Sequence, residues 1–155
     1  CDAALLAPSE TPPDSVHRVR PADIGLIAAF GDSITVGAHS ANAPPPTVGE
    51  YFVGNSFDMG GDESLATHVT IPNVLRSLNG SSLAGFSTGV GVELEHAKLN
   101  VAIGGRRSNA TTVAMYKNNV REALRMISTK MPRTIVSVIG IWNMNLTMLS
   151  SELLY

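Results

Sequence analysis

The sequence predicts an α/β domain built around a parallel sheet. Three short apolar segments, at residues 24–30, 99–103 and 134–140, each run into glycine, which is typical of strands buried on both faces. Helical patterns occupy residues 70–78 and 109–130, between the predicted strands. This order of strands and helices favours a parallel sheet with right-handed crossover connections.

The two helices are predicted from apolar spacing and from residues typical of helix ends. Thr70 can cap the first helix, Pro72 suits its first turn, and Asn79-Gly80 ends it. Pro132 forbids extension of the second helix. Apolar residues of the second helix recur at spacings that place them on one face, namely Val113, Val120, Leu124 and Ile127.

Composition excludes several classes of protein. The 155 residues are 44% hydrophobic, which predicts one folded domain. Charged residues make up only 15%, a shortage that indicates either very complete burial or a missing portion of protein. The net charge of −2 leaves no basic excess to neutralise a nucleic-acid backbone. No apolar run reaches the roughly 20 residues that a membrane span needs.

The cysteine content and the glycosylation sequons indicate which structural sites and which cellular location are possible. Cys1 is the one cysteine, which excludes a disulfide scaffold and a cysteine-based zinc site. Asn79, Asn109 and Asn145 each begin an Asn-x-Ser/Thr sequon, and together they favour a secreted glycoprotein. We expect no metal or other cofactor.

The chain divides by composition into three parts. Residues 1–23 hold four prolines and predict an extended lead-in. Residues 24–140 carry the strand and helix patterns, and residues 141–155 form an atypical tail. Within the middle part, residues 37–63 are rich in glycine, proline, asparagine and serine, which predicts a long functional loop or a set of short elements.

Polar residues follow all three predicted strands. The first ends in Gly31-Asp32-Ser33, the second in Gly104-Gly105-Arg106, and the third is followed by Trp142-Asn143. Because carboxyl ends of parallel strands share one edge, this pattern predicts a single site. Ser33, exposed at a strand-to-helix turn, could act as a nucleophile beside backbone N–H groups. The alternative is that Asp32 or Ser33 only caps a helix.

Longer stretches of sequence resemble a known family. Residues 30–35 resemble the first conserved block of the GDSL, or SGNH, hydrolases, and residues 100–105 resemble the second. Five flanking segments are similar to animal phospholipase B enzymes and occur in the same order. They are residues 15–24, 50–51, 60–62, 71–76 and 83–87. The resemblance covers roughly residues 12 to 140, and ordered agreement of this kind is more specific than one short motif.

The resemblance implies a fold and a reaction. The fold is a three-layer α/β/α sandwich with a parallel sheet, flavodoxin-like and incomplete at the C-terminus. The reaction is hydrolysis of phospholipid and lysophospholipid esters through an acyl-serine on Ser33. By this resemblance, backbone N–H groups of Ser33 and Gly105 and the side chain of Asn143 would hold the oxyanion. Asn143 is displaced by one position from the family's asparagine, Met144 stands where the family has aspartate, and Asn145 is a poorer alternative. Asp32 and Arg106 lie on the substrate side, where Arg106 could meet a lipid phosphate or be an ordinary surface residue.

The catalytic base is the main departure from the family. The family's base belongs to a late Asp-x-x-His block, and we expect no such block in this chain. The four histidines all lie upstream of the third predicted strand, at His17, His39, His68 and His96. We therefore expect a truncated and inactive portion of a phospholipase B-like protein, secreted or on the extracellular face of a membrane. The alternative is a catalytically silent lipid-binding or interaction module.

Overall fold

The computed structural model describes most of the chain in five stretches. They are residues 6–41, 51–78, 82–104, 113–131 and 133–139. The chain forms two compact units, Cys1–Thr112 and Val113–Tyr155. Each unit is described by itself below.

The first two predicted strands lie side by side and run in the same direction. The backbone N–H of Ala29 donates to Leu99 O at 3.2 Å, and Val101 N–H donates back to Ala29 O at 2.9 Å. Ile103 N–H then donates to Gly31 O at 3.1 Å. This alternation is that of a parallel ladder. We call residues 25–31 the first paired segment and residues 99–103 the second.

The pairing continues upstream but never becomes a long ladder. Ala84 forms a parallel bridge with Leu26, and Gly60 forms another with Ser87. In the described residues these contacts are isolated bridges, and residues 134–139 have no strand assignment. The sandwich itself stays a prediction.

Burial of the paired segments differs from the prediction. Asn100 and Ala102 are buried, at 5% and 9% exposure. Leu26, Phe30 and Val101 are 55%, 59% and 65% exposed. The expectation that the first strand is buried on both faces is therefore wrong. Alternate residues of a strand point to opposite faces, and the described core packs against the Ala102 face.

The core joins the second paired segment to the turn that follows the first. Val36, Val53 and Ala102 form the buried cluster, with Ala38 and Tyr51 packed against it. Val36 comes from the turn after the first paired segment, and Val53 comes from the glycine-rich loop. This loop therefore contributes to the packing around the turn.

Helix α1 spans Ile71–Leu78, which confirms the predicted first helix. Its predicted cap is also present, since Thr70 Oγ1 accepts a hydrogen bond from Asn73 N–H at 3.2 Å. The same hydroxyl donates to Gly60 O at 2.6 Å, so the cap also fixes the helix to the glycine-rich loop. Helix α2, at Leu94–Ala97, is a single turn that the sequence analysis did not predict.

The lead-in was expected to be extended, but the structure shows that it is not extended throughout. It holds two 3-10 helices, Val16–Arg18 and Pro21–Asp23, and a third lies in the glycine-rich loop at Val53–Asn55. Proline at the start of Pro21–Asp23 supplies the φ angle that a helical turn needs. Proline content alone therefore did not distinguish extended backbone from short helical turns.

The second unit contains helix α3, at Val113–Lys130. Its end matches the predicted end before Pro132, and residues 109–112 lie outside the described residues. Val120, Leu124 and Ile127 are half-buried on the predicted apolar face. Within the described residues, no helix is both long enough and apolar enough to cross a membrane.

Asp23 anchors the start of the lead-in. Its carboxylate accepts hydrogen bonds from Ser9 N–H at 2.7 Å, Arg20 N–H at 2.8 Å and the Ser9 hydroxyl at 2.8 Å. The backbone N–H groups of Ser9 and then Arg20 hold the pKa of Asp23 below its ordinary value of 3.8.

Replacing the Asp23 carboxylate should make the thermal stability of the chain vary less with pH in the acidic range. Because the pKa of Asp23 is lower in the folded chain, its contribution is complete above pH 3.8 and is lost as the pH falls through the folded value. Asp23→Asn should lower Tm at neutral pH, and the difference from the unsubstituted chain should close in acid. Thermal unfolding from neutral to acid pH measures this difference.

The matched control is Asp14→Asn, which removes an exposed ion pair with Arg18 and should change Tm little. If the Tm difference between Asp23→Asn and the unsubstituted chain does not change with pH, Asp23 does not have a lowered pKa in the folded chain.

Candidate active site

Ser33 lies in a tight turn at the carboxyl end of the first paired segment. Val36 N–H donates to Asp32 O at 3.0 Å, and Ala38 N–H donates to Ser33 O at 2.8 Å. The Asp32 carboxylate accepts from Ile34 N–H at 2.9 Å. No helix is assigned over residues 33–41, so Asp32 closes a turn there and caps no described helix, and the Ser33 residue is exposed.

Two glycines allow the chain to make this turn. A Cβ at Gly31 would lie 2.8 Å from Thr35 Cβ and still closer to Thr35 Oγ1. Gly37 has a φ of +71°, and a Cβ there would collide with Phe52 O. Both ends of the turn therefore require a residue without a side chain.

The middle of the turn is held from two directions. Thr35 O accepts a hydrogen bond from the Asn100 side chain at 2.8 Å and another from the Ser56 hydroxyl at 2.7 Å. Asn100 is in the second paired segment, and Ser56 is in the glycine-rich loop. The sequence analysis gave neither residue a role, because contacts to a backbone carbonyl follow no sequence spacing.

The end of the second paired segment lies next to the turn. Ile103 N–H donates to Gly31 O, so the two segments end at the same edge. Gly104 is packed beneath Tyr51, because a Cβ at this position would lie 2.6 Å from Tyr51 Cε1 and 2.7 Å from Tyr51 Oη. The residue that follows Gly104 is the predicted oxyanion donor Gly105.

Three of the predicted site residues lie outside the described residues. They are Gly105, Arg106 and Asn143. Ser33 and Asp32 are described, and both are exposed. The described structure thus brings together the ends of the first two predicted strands, and the role of the third stays a prediction.

In the described part of the chain no histidine side chain forms a hydrogen bond with Ser33, and His68 is half-buried. His17 and His39 are exposed, and His39 has left-handed backbone with a φ of 56°. His96 is half-buried, with Nδ1 3.2 Å from Thr88 O and Nε2 3.3 Å from the Glu95 carboxylate.

One Asp-x-x-His spacing does occur, upstream of Ser33. It is Asp14-Ser15-Val16-His17, in the lead-in, so the expectation that the chain holds no such spacing is wrong. The Asp14 carboxylate pairs with Arg18 at 3.3 Å, and both side chains are exposed. The carboxylate is thus engaged by arginine. Among the described residues, no group of three or more histidine, cysteine or acidic side chains could hold a metal ion.

The exposed serine after Gly-Asp and the paired end of the second segment agree with a family match. Residues 27–149 match the GDSL-like lipase/acylhydrolase family, and the match continues past Gly140. The chain belongs to this family.

Three similar proteins share the name "Phospholipase B1, membrane-associated". The chain is 44% identical to the Homo sapiens protein over 104 residues, or 65% of this chain and 7% of that protein. It is 40% identical to the Rattus norvegicus protein over 124 residues, or 74% of this chain and 8% of that protein. It is 42% identical to the Mus musculus protein over 109 residues, or 68% and 7%. The chain thus spans less than a tenth of these relatives' length. No solved structure matches the chain.

Substitution of Gly31 tests the turn geometry. Gly31→Ala should lower the free energy of unfolding by about 1–3 kcal/mol, because the new methyl group collides with the β-branched side chain of Thr35. Gly25→Ala is the matched control in the same segment, since nothing lies within 4 Å of a Cβ there. It should be neutral or stabilising by about 0.4–1 kcal/mol. Urea unfolding of both variants measures the difference, and equal effects would argue against a crowded turn.

Proposed function

We propose that Ser33 is the nucleophile of a hydrolase that acts on the carboxylic esters of phospholipids and lysophospholipids. The observation that carries this proposal is the exposed Ser33 in a fixed turn beside the end of the second paired segment. A nucleophile needs that combination of accessibility and fixed position. Membership of the GDSL-like lipase/acylhydrolase family supports ester hydrolysis as the reaction class.

The reaction proceeds in two steps. Ser33 Oγ attacks the ester carbonyl, its proton leaves with the departing alcohol, and an acyl-serine forms. Water then attacks the acyl-serine, releases the fatty acid and returns the proton to Ser33. Backbone N–H groups of Ser33 and Gly105 and the side chain of Asn143 donate to the oxyanion in each step. Loss of one such donor typically slows turnover by about 10²–10³-fold.

The substrate class follows from the relatives and from Arg106. The similar proteins are named as phospholipases, and their name describes them as membrane-associated. The Arg106 guanidinium suits a lipid phosphate, because it can make two parallel hydrogen bonds to phosphate oxygens. Asp32 precedes Ser33 in the chain and is exposed, so we propose that it also contacts the substrate. The three sequons favour a location outside the cell or on the extracellular face of a membrane.

Activation of Ser33 needs a base that these residues do not provide. No Asp-x-x-His follows Ser33 in the 155 residues. A serine hydroxyl without a base is a weak nucleophile, and loss of triad members removes several powers of ten in rate. We therefore expect these 155 residues alone to turn over esters slowly or not at all.

Covalent capture of Ser33 tests the assignment even when turnover is slow. The full chain is incubated with p-nitrophenyl butyrate and, separately, with an organophosphate that reacts with serine nucleophiles. Mass spectrometry should find the added group on Ser33, and Ser33→Ala should remove it. The matched control is Ser64→Ala, at another exposed serine, which should leave labelling unchanged.

The other outcomes distinguish the alternatives. Fast turnover that Ser33→Ala abolishes would identify Ser33 and reveal a base within these residues. Saturable lysophospholipid binding with no label on Ser33 would instead favour the silent lipid-binding module. The exposed Leu26, Phe30 and Val101 are the observation that favours this second function.

A further inference from the structure

We propose that Asn100 is a positioning residue, which holds the Ser33 turn in register with the end of the second paired segment. This inference rests on the proposed role of Ser33. Asn100 acts through Thr35 O, two residues beyond the nucleophile, and its described hydrogen bonds do not include Ser33.

The Asn100 side chain makes two hydrogen bonds whose direction is unambiguous. Its Nδ2 donates to Thr35 O at 2.8 Å, and its Oδ1 accepts from Ala102 N–H at 3.2 Å. A carbonyl only accepts and a backbone N–H only donates, so the amide cannot be turned around without breaking both bonds. The residue is 5% exposed, and water cannot readily replace either partner.

The two bonds connect parts of the chain that are distant in sequence. Asn100 and Thr35 are 65 positions apart. The bond from Ala102 N–H holds the Asn100 side chain against its own segment. The bond to Thr35 O then holds the turn in a fixed position relative to that segment. Asn100 therefore links the position of the Ser33 turn to that of the second paired segment.

Ser56 also donates to Thr35 O, but its hydroxyl has a second acceptor. Its hydroxyl lies within hydrogen-bond distance of both Thr35 O and the Asp58 carboxylate. One hydroxyl proton has to serve two acceptors. The Asn100 amide group points a donor at Thr35 O alone, which makes Asn100 the more specific of the two anchors.

The informative variant is Asn100→Asp, which keeps the shape of the side chain. The carboxylate still accepts from Ala102 N–H, but it now presents an acceptor to Thr35 O. Two acceptors repel each other, and the turn has to shift. A displacement near 1 Å at a catalytic group typically costs about 10²-fold in rate, so we expect Ser33 to react with the organophosphate about 10²-fold more slowly.

Asn73→Asp is the matched control. Asn73 is equally buried, at 3% exposure, and its Nδ2 donates to Asp62 O at 2.9 Å and to His68 O at 3.0 Å. Neither partner lies in the Ser33 turn or in the second paired segment. We expect a comparable loss of Tm in both variants, but labelling of Ser33 within about threefold of the unsubstituted chain in the control.

A second readout is the pH dependence of the labelling rate. Near pH 4 the introduced carboxyl group becomes protonated and regains an O–H that can donate to Thr35 O. The rate for Asn100→Asp, divided by that of the unsubstituted chain, should rise as the pH falls from about 7 to about 4. A residue that only contributes stability would not produce this recovery.

A third measurement does not depend on reactivity. Hydrogen exchange at the amides of Val36 and Ala38 reports the two backbone bonds of the turn. Asn100→Asp should speed exchange at both, and Asn73→Asp should not. If Ser33 of the unsubstituted chain takes no label, the proposed function fails, and these two amides alone decide the role of Asn100. Equal exchange in the two variants, or equal labelling where Ser33 reacts, would overturn the proposal.

Discussion

The candidate site depends on one hydrogen bond, from Ile103 N–H to Gly31 O. It is the last bond of the parallel pairing in the described residues, and it places the ends of two segments that are far apart in sequence at one edge. Ser33 follows the first segment almost directly, and Gly104 follows the second. A slip of one residue in this register would turn Asn100 from the buried face to the exposed face and remove its contact with the turn.

Features with local causes could be predicted from the sequence. Helix α1 and its Thr70 cap follow from residues that are neighbours in the chain, and both are present. The pairing of the first two apolar segments was also predicted, because consecutive apolar segments separated by a helix tend to run parallel. Leu26 and Phe30 were predicted to be buried, but both are exposed. An apolar run indicates a strand, but it does not show which other elements cover that strand.

Features with distant causes could not be predicted. Ser56 and Asn100 reach the same carbonyl from two separate parts of the chain, and no spacing in the sequence links either one to Thr35. Tyr51 over Gly104 is a third case, in which a residue of the glycine-rich loop packs against the end of a strand. Such contacts depend on the path of the backbone, which the pattern of residue types does not specify.

Within the Gly-Asp-Ser sequence, the three residues have different physical roles. Gly31 leaves room for the side chain of Thr35, and Asp32 satisfies the Ile34 amide at the start of the turn. Because Asp32 accepts from that amide, Ser33 is not needed for this contact, and it remains exposed at the edge of the pairing. Positioning of the serine is therefore achieved by nearby backbone contacts together with Asn100. Activation of the serine is a separate requirement, because it needs a base whose position these contacts do not determine. A chain can thus retain a well-positioned serine whether or not it retains turnover.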